Sequence, residues 1–145
     1  MTTIRCARTY DAAAIAALCG ELGYPASRQQ VVARLAAIES AASKVFVAEN
    51  GNGEVVAWLH VGFCAHLVAE DEAEIFGLVV AANMRGQGIG RALVERAIVW
   101  SKELGCTRLR VRSRAERTRA HRFHEREGFV EIKTQRVFMQ RIGSP

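Results

Sequence analysis

Apolar residues recur along the chain at spacings that predict alternating helices and strands. Residues 4–7 are a candidate strand, and apolar side chains at every third or fourth position predict two helices, over residues 11–22 and 27–40, with Asp11 and Ser27 as their N-caps. Two β-branched runs, residues 44–49 and 54–63, flank the sequence Asn-Gly-Asn-Gly, which is a strong hairpin signal. The first half of the chain is therefore expected to form one strand, two helices and a pair of strands.

The second half continues the alternation. Residues 74–80 are nearly all apolar, as expected of a strand in the centre of a sheet, and residues 89–104 have a helical apolar pattern. The remaining predicted elements are a strand over residues 107–113, a helix over residues 120–127 and two closing strands over residues 129–132 and 134–139. The chain has no internal repeat or linker, so residues 1–145 are expected to form a single domain of the α/β (α+β) class, with the order β-αα-βββ-α-β-α-ββ.

The overall charge suggests a polyanionic partner, but its distribution argues against one. The chain of 145 residues has 20 basic and 15 acidic side chains, a net charge of +5. Residues 1–84 hold 5 basic and 9 acidic side chains, net −4, whereas residues 85–145 hold 15 and 6, net +9. Acidic side chains are concentrated in residues 70–74, where they would repel a phosphate backbone. Two ligands of opposite charge are therefore expected, and a nucleic acid is not.

Cysteine spacing and hydropathy argue against a metal site and a membrane span. The four cysteines are far apart and form no C-x-x-C pair, so they are expected to be reduced thiols without a metal. The apolar stretch near the N-terminus contains Asp11 and has the spacing of a helix rather than of a signal peptide. No apolar run is long enough to cross a bilayer, so we expect a cytoplasmic protein without a membrane partner.

Three glycines at alternate positions join the predicted central strand to the helix after it. The segment from Arg85 to Gly90 reads Arg-Gly-Gln-Gly-Ile-Gly. Residues without side chains let backbone N–H groups converge on an anion at the positive end of a helix. The segment lacks a Walker A lysine, and its third glycine is at position 90 rather than 91, so the dinucleotide fingerprint is also absent. The alternative is a tight turn that only joins strand to helix.

This segment resembles the R/Q-x-x-G-x-G/A motif of the GNAT superfamily of N-acetyltransferases. A second segment, residues 120–129, is similar to the A-x-x-F-Y-x-x-x-G-F segment of the same family. The order of elements also resembles that fold across nearly the whole chain. The resemblance implies a mixed, mainly antiparallel central sheet of six to seven strands flanked by about four helices, with acetyl-CoA as the acetyl donor. It leaves a homodimer open.

The resemblance also assigns the residues that bind acetyl-CoA. The main chain of residues 78–80 would pair with the pantetheine arm, and an N–H near Val80, or near Val79 if the strand bulges, would bind the thioester oxygen. Arg117 stands where the family often has Asn, and it suits the phosphates instead. The implied cofactor-binding residues are Leu78, Val79, Val80, Arg85, Gly86, Gln87, Gly88, Ile89, Gly90, Arg91, Arg117 and Phe123.

Acetyl transfer to an amine requires a base for the amine, a donor for the oxyanion and a proton for the thiolate. Direct attack in a ternary complex needs no covalent intermediate, so no cysteine has to be a nucleophile. Glu72 and Glu74 are the candidate bases, on one side of the central strand; the alternative is a solvated loop. His124 replaces the family's tyrosine acid, and it either protonates the thiolate or lines the pocket while water does so.

Other polar and aromatic residues have two interpretations each. Arg108, Arg110 and Arg112 alternate along a predicted strand, and we expect a solvated face there. Several side chains in the first half of the chain would either line the acceptor site or belong to the core. These are Tyr24, Trp58, His60 and His66.

The sequence therefore predicts an acetyl-CoA-dependent N-acetyltransferase whose acceptor is a primary amine. A cationic small molecule or a protein or peptide amine is expected, because the acidic residues would attract it. One alternative is a non-catalytic acyl-CoA sensor, suggested by the missing tyrosine. Another is an arginine-rich nucleic-acid-binding module, which would need interleaved aromatic residues that the chain lacks.

Overall fold

The computed structural model describes residues 1–39 and 42–144, so the predicted end of the second helix at residue 40 lies outside the described residues. The strands are β1 (Thr3–Cys6), β2 (Ser43–Glu49), β3 (Val55–Cys64), β4 (Glu72–Val80) and β5 (Leu109–Val111). The helices are α1 (Ala12–Leu22), α2 (Arg28–Glu39), α3 (Ile89–Glu103) and α4 (Thr118–Arg126). The predicted α/β class with about four helices is confirmed. In the part described, no helix is both long and apolar enough to cross a membrane.

The strands form one sheet in the order β1-β2-β3-β4-β5, and only the β4–β5 pair is parallel. The described residues contain five strands, so the prediction of six to seven strands is wrong. Residues 129–132 and 134–139, which were expected to close the sheet, have no regular secondary structure. An apolar alternation stabilises a strand only where one face is covered, and here the adjacent Val137 and Phe138 are both 87% exposed.

The chain divides into two compact units. The first, Met1–Arg112, contains the sheet and α1 to α3. The second begins at Ser113 and contains α4, after which Gly128 has a φ of 93°. The single domain over residues 1–145 stays a prediction.

Helices cover both faces of the sheet in the first unit. Leu18 of α1 and Val31 of α2 pack in one buried cluster with Val47 of β2. Phe46, the neighbour of Val47 along the strand, points to the opposite face. There the guanidinium of Arg96, on α3, lies 4.7 Å from the centre of the Phe46 ring.

Local sequence signals determine where some elements begin and end. The Ser27 hydroxyl accepts the Gln30 N–H at 3.1 Å, and the Gln30 side chain accepts the Ser27 N–H at 2.9 Å, which together cap α2 as predicted. In the predicted hairpin between β2 and β3, the Asn50 side-chain oxygen accepts the Glu54 N–H at 2.9 Å. Both signals act over four residues or fewer.

Asp11, which the sequence predicts as the cap of α1, has a different role. Its side chain makes no capping hydrogen bond to α1. The buried carboxylate accepts the Arg8 N–H at 2.8 Å and two hydrogen bonds from the Arg5 guanidinium, at 2.8 and 2.9 Å. The capping prediction is wrong because this charged partner from β1 takes the carboxylate.

Candidate active site

The edge of β4 opens beyond the middle of the strand. β5 pairs with β4 only over Ala73–Ile75. On the other side, β4 continues to pair with β3, in a ladder where the Ala81 N–H donates to the Val56 carbonyl at 2.8 Å. Because inward- and outward-facing residues alternate in an antiparallel pair, the main-chain groups of Leu78 and Val80 face away from β3. No strand within the described residues pairs with this part of the edge.

The glycine-rich turn leads from this edge into α3. Arg85 Nε donates to the Val80 carbonyl at 3.2 Å. Gly86 and Gly88 have φ values of 79° and 81°, and the exposed Gln87 lies between them. A Cβ at either glycine would meet no atom within 4 Å, so the positive φ rather than crowding requires glycine here.

The N-terminus of α3 is suited to an anion. It has no side-chain cap and no acidic residue in its first turn. The N–H groups of Ile89 and Gly90 have no acceptor among the residues described, as is usual for an uncapped helix start. Arg91, in the same turn, is exposed and contacts Glu95 at 3.3 Å. The unpaired amides and the helix dipole together favour a phosphate at this position.

Glu72 and Glu74 lie on one face of β4 and are only 3% and 9% exposed. Arg112 Nε donates to Glu74 Oε2 at 3.0 Å. Arg110 Nε lies 3.2 Å from Glu72 Oε1 without the alignment of a hydrogen bond, and Arg108 Nη2 lies 3.6 Å from Glu72 Oε2. We call these five residues the Glu–Arg ladder. The prediction that the three arginines form a solvated face holds for Arg108 and Arg112, which are about half-exposed, but not for Arg110, and all three face buried carboxylates on the neighbouring strand.

The Glu–Arg ladder also changes the expected charge of the site. Its two carboxylates face three guanidiniums, so the cluster is not acidic; the exposed acids beside it are Glu70 and Asp71. His66 Nε2 contacts Glu72 Oε1 at 3.2 Å, so both oxygens of Glu72 are engaged. Glu74 Oε1, in contrast, makes no hydrogen bond or ion pair within residues 1–39 and 42–144. The two candidate bases therefore differ in their surroundings.

The aromatic candidates separate into core and surface residues. Trp58 is 9% exposed and belongs to the core cluster, where its ring lies over Gly77. A Cβ at Gly77 would lie 2.8 Å from that ring, so only glycine fits below it. His60 is partly buried, and burial lowers its pKa. Tyr24 is half-exposed.

Phe76 is a residue that the sequence pattern does not single out. Ile75 pairs with Val61 and Gly77 pairs with His60, so Phe76 is the extra residue of a β-bulge. Its ring is 4.9 Å from the His60 ring, and the residue is 51% exposed. A continuous apolar run predicts the strand but not the bulge, since an extra residue is visible only when the partner register is known.

Two cysteines of the first unit, Cys64 and Cys106, are poor nucleophiles. Burial raises the pKa of the Cys64 thiol, and the nearby charges of Glu74 and Glu72 raise it further. Burial likewise raises the pKa of Cys106. Neutral thiols agree with a reaction that needs no covalent intermediate. Among the described residues, no group of three His, Cys, Asp or Glu side chains could hold a metal ion.

In the second unit, the candidate residues lie on or next to α4. Arg117 is exposed at the start of the helix, and the rings of Phe123 and His124 are 5.6 Å apart. Burial lowers the pKa of His124, and electrostatic interactions with His121 and Arg117 lower it further. Its Nδ1 is buried without a hydrogen-bond partner in the described part of the chain. The imidazole is therefore neutral at neutral pH.

The model of the acetyltransferase (GNAT) family matches residues 11–129, which include the open edge of β4, the glycine-rich turn and α4. The chain belongs to the GNAT family. A similar GNAT protein is the aminoglycoside N(6')-acetyltransferase type 1 of Stenotrophomonas maltophilia, 33% identical over an alignment of 145 residues that covers 97% of this chain and 92% of that protein.

Two solved aminoglycoside acetyltransferase structures have the same fold. The aminoglycoside antibiotic 6'-N-acetyltransferase AAC(6')-Ih from Acinetobacter baumannii has a TM-score of 0.86 at 21% identity, over 99% of this chain and 100% of that chain. AAC(6')-Iy, solved with the bisubstrate analogue CoA-S-monomethyl-acetylneamine, has a TM-score of 0.87 at 18% identity, over 98% and 99%.

As a GNAT protein, this chain is an acetyl-CoA-dependent N-acetyltransferase. The predicted family, the prediction of an enzyme rather than a non-catalytic sensor, and acetyl-CoA as the co-substrate are confirmed. The prediction that the acceptor is an amine is confirmed.

Proposed function

We propose that this enzyme transfers acetyl from acetyl-CoA to a primary amine of an aminoglycoside or a similar polycationic small molecule. The observation that carries the proposal is the course of β4, whose open edge after Ile75 runs into the uncapped N-terminus of α3. That arrangement suits an elongated donor with a peptide-like arm and a phosphate end. The choice of acceptor is supported by the 33% identical relative, which is named as an aminoglycoside acetyltransferase.

The open edge and the turn fit acetyl-CoA, which supplies the activated acetyl group. The outward main-chain groups of Leu78 and Val80 would hydrogen-bond the pantetheine arm, and the Val80 N–H is the favoured donor to the thioester oxygen. Val79 faces β3 with its main chain and the core with its side chain, so it contributes packing. The remaining residues of the first unit would hold the pyrophosphate. They are Arg85, Gly86, Gln87, Gly88, Ile89, Gly90 and Arg91.

Glu74 is the base that we favour. Its Oε2 is held by Arg112, while Oε1 has no partner among the described residues and can accept the amine proton directly or through water. Glu72 is engaged at both oxygens by cations, so we assign it to the support of the strand pair.

Arg117 and Phe123 are proposed to bind acetyl-CoA, as the family resemblance implies. The role of His124 depends on its protonation. Because the pKa of His124 is lowered, an imidazolium acid is not available at neutral pH. We therefore favour the alternative in which His124 only lines the pocket and water protonates the thiolate.

The acceptor is tested by measuring free thiol release from acetyl-CoA with neamine, spermidine, a lysine peptide and a peptide with a free N-terminus. Faster release with neamine than with the others supports the aminoglycoside proposal. Release with a peptide alone would replace it by a protein acetyltransferase.

The cofactor site is tested by Gly88→Glu, which puts a carboxylate where we place the pyrophosphate. Acetyl-CoA at about 100 times its Kd should stabilise the wild-type protein by about 2.7 kcal/mol, seen as a higher Tm. Gly88→Glu should abolish this shift because like charges repel.

Gly105→Glu is the matched control. Gly105 ends the same helix and has a φ of 82°, close to the 81° of Gly88, so the backbone strain is alike. Its ligand-induced shift should equal that of the wild type. An equal loss in both variants would contradict the placement of the pyrophosphate.

A further inference from the structure

Phe76 presents a half-exposed aromatic ring in the most buried part of the sheet. Its neighbours in β4, Ile75 and Gly77, are buried and partly buried, yet Phe76 itself is 51% exposed. The β-bulge explains the difference, because it re-aims the side chain of the extra residue. Bulges are common next to active sites for this reason.

The ring is held in place from below. A Cβ at Gly62, on β3, would lie 2.4 Å from the Phe76 ring, so the ring lies directly over a residue without a side chain. His60 packs beside it at 4.9 Å between ring centres. The ring is thus supported by β3 and exposed on its remaining surface.

Along β4, Phe76 lies between the proposed base and the edge proposed to bind the acetyl donor. Glu74, the favoured base, precedes it by two residues, and Leu78, whose main-chain groups face the open edge, follows it by two. Two residues of a strand span roughly 7 Å, so an amine between Glu74 and the donor passes the ring.

The net charge of the Glu–Arg ladder does not attract a cation to this site. The arginines of the Glu–Arg ladder outnumber its carboxylates by three to two. An aromatic ring attracts an ammonium through its quadrupole, and neighbouring guanidiniums do not remove this attraction when they already face carboxylates.

We propose that the exposed ring of Phe76 binds an ammonium group of the polycationic acceptor by a cation–π contact and so determines acceptor specificity. The inference rests on the proposed function, since it needs an acceptor with a charged amine beside the reacting one. Phe76 is then a specificity-determining residue, and Glu74 and the β4 edge supply the chemistry.

The test compares Phe76→Leu with Phe76→Trp, using whichever of neamine and spermidine the wild type acetylates faster. Phe76→Leu keeps apolar bulk but loses the ring, and its acceptor KM should rise about 5-fold, which is ~1 kcal/mol at 1.4 kcal/mol per tenfold. Phe76→Trp should keep the acceptor KM or lower it. The KM for acetyl-CoA should stay within about 2-fold in both variants, because the donor is proposed to bind the main chain of Leu78 and Val80 and not the ring.

Tyr10→Leu is the control for loss of an exposed aromatic residue, since Tyr10 is 72% exposed beside Arg5 in another part of the first unit. It should leave the acceptor KM unchanged. Equal acceptor KM values for wild type and Phe76→Leu would overturn the proposal for Phe76 and leave the proposed function intact. Activity with spermidine but not neamine would overturn the aminoglycoside assignment, while the Phe76 comparison with spermidine would still decide the role of the ring.

Discussion

Burial determines the protonation of His124 and therefore the roles open to it. Moving an imidazolium out of water is unfavourable, and electrostatic interactions with His121 and Arg117 disfavour it further, so the pKa falls below its ordinary value of 6.5. An imidazole is an effective proton donor to a thiolate only as the imidazolium, so His124 would have to be charged at the working pH to act as the acid. The residue type alone suggests an acid, whereas the environment argues for a neutral side chain.

His124→Phe tests whether His124 acts as a general acid. The kcat should change by less than about 3-fold across neutral pH, since general acid catalysis would be worth 100-fold or more. The Tm should not fall, because the substitution removes a buried Nδ1 that has no partner in the described chain. Initial rates between pH 6 and 9 and a thermal melt are the measurements. A large loss of kcat that His124→Tyr restores would instead identify an acid.

At the scale of elements, the Glu–Arg ladder joins two strands that pair over only three residues. β4 and β5 are in parallel register over Ala73–Ile75, and the ladder adds ion pairs on one face of this short contact. Charges that are mostly buried remain favourable only while they are paired. Loss of a carboxylate would leave Arg110, whose side chain is 20% exposed, without its counter-charge.

Glu72→Gln and Glu74→Gln should therefore have different effects. Glu72→Gln should lower the free energy of unfolding by about 2 kcal/mol, less than for a fully buried pair because Arg108 is half-exposed, and should change kcat little. Glu74→Gln should lower kcat by about 100-fold, as for loss of a general base. Its cost in stability should be smaller, because its partner Arg112 is also half-exposed.

Urea unfolding and initial rates separate the two effects. Because Gln has nearly the volume of Glu, neither variant creates a cavity. A loss of kcat confined to Glu72→Gln would reverse the assignment of base and support.

The separation along the sequence of the interacting residues explains which elements could be predicted. The Ser27–Gln30 capping box and the Asn50 turn depend on residues no more than four apart, and both are present as predicted. The ladder and the Phe76 bulge depend on the register between strands that are distant in sequence. The alternation of Arg108, Arg110 and Arg112 correctly indicates one strand face but contains no information about the carboxylates opposite.

At the scale of the whole molecule, the uneven charge distribution has a narrower meaning than the sequence suggested. The acidic first half was expected to attract a cationic acceptor, but Glu72 and Glu74 are paired with arginines from the second half. The basic second half also has arginines outside the Glu–Arg ladder, which include Arg85, Arg117, Arg119 and Arg122. Electrostatic attraction should therefore act mainly on the anionic cofactor.

The salt dependence of the CoA Kd and of the acceptor KM tests whether electrostatic attraction acts mainly on the cofactor. Raising the salt concentration from about 0.05 M to about 0.5 M shortens the Debye length to a few ångströms and screens exposed charges. The Kd of CoA should rise about tenfold, and the Kd of dephospho-CoA, which lacks one phosphate, should rise less. The acceptor KM should change by less than about 2-fold, because a cation–π contact and the buried carboxylate of Glu74 are weakly screened. An acceptor KM that rises as steeply as the CoA Kd would mean that free acidic side chains such as Glu70 and Asp71, rather than the ring of Phe76, attract the acceptor.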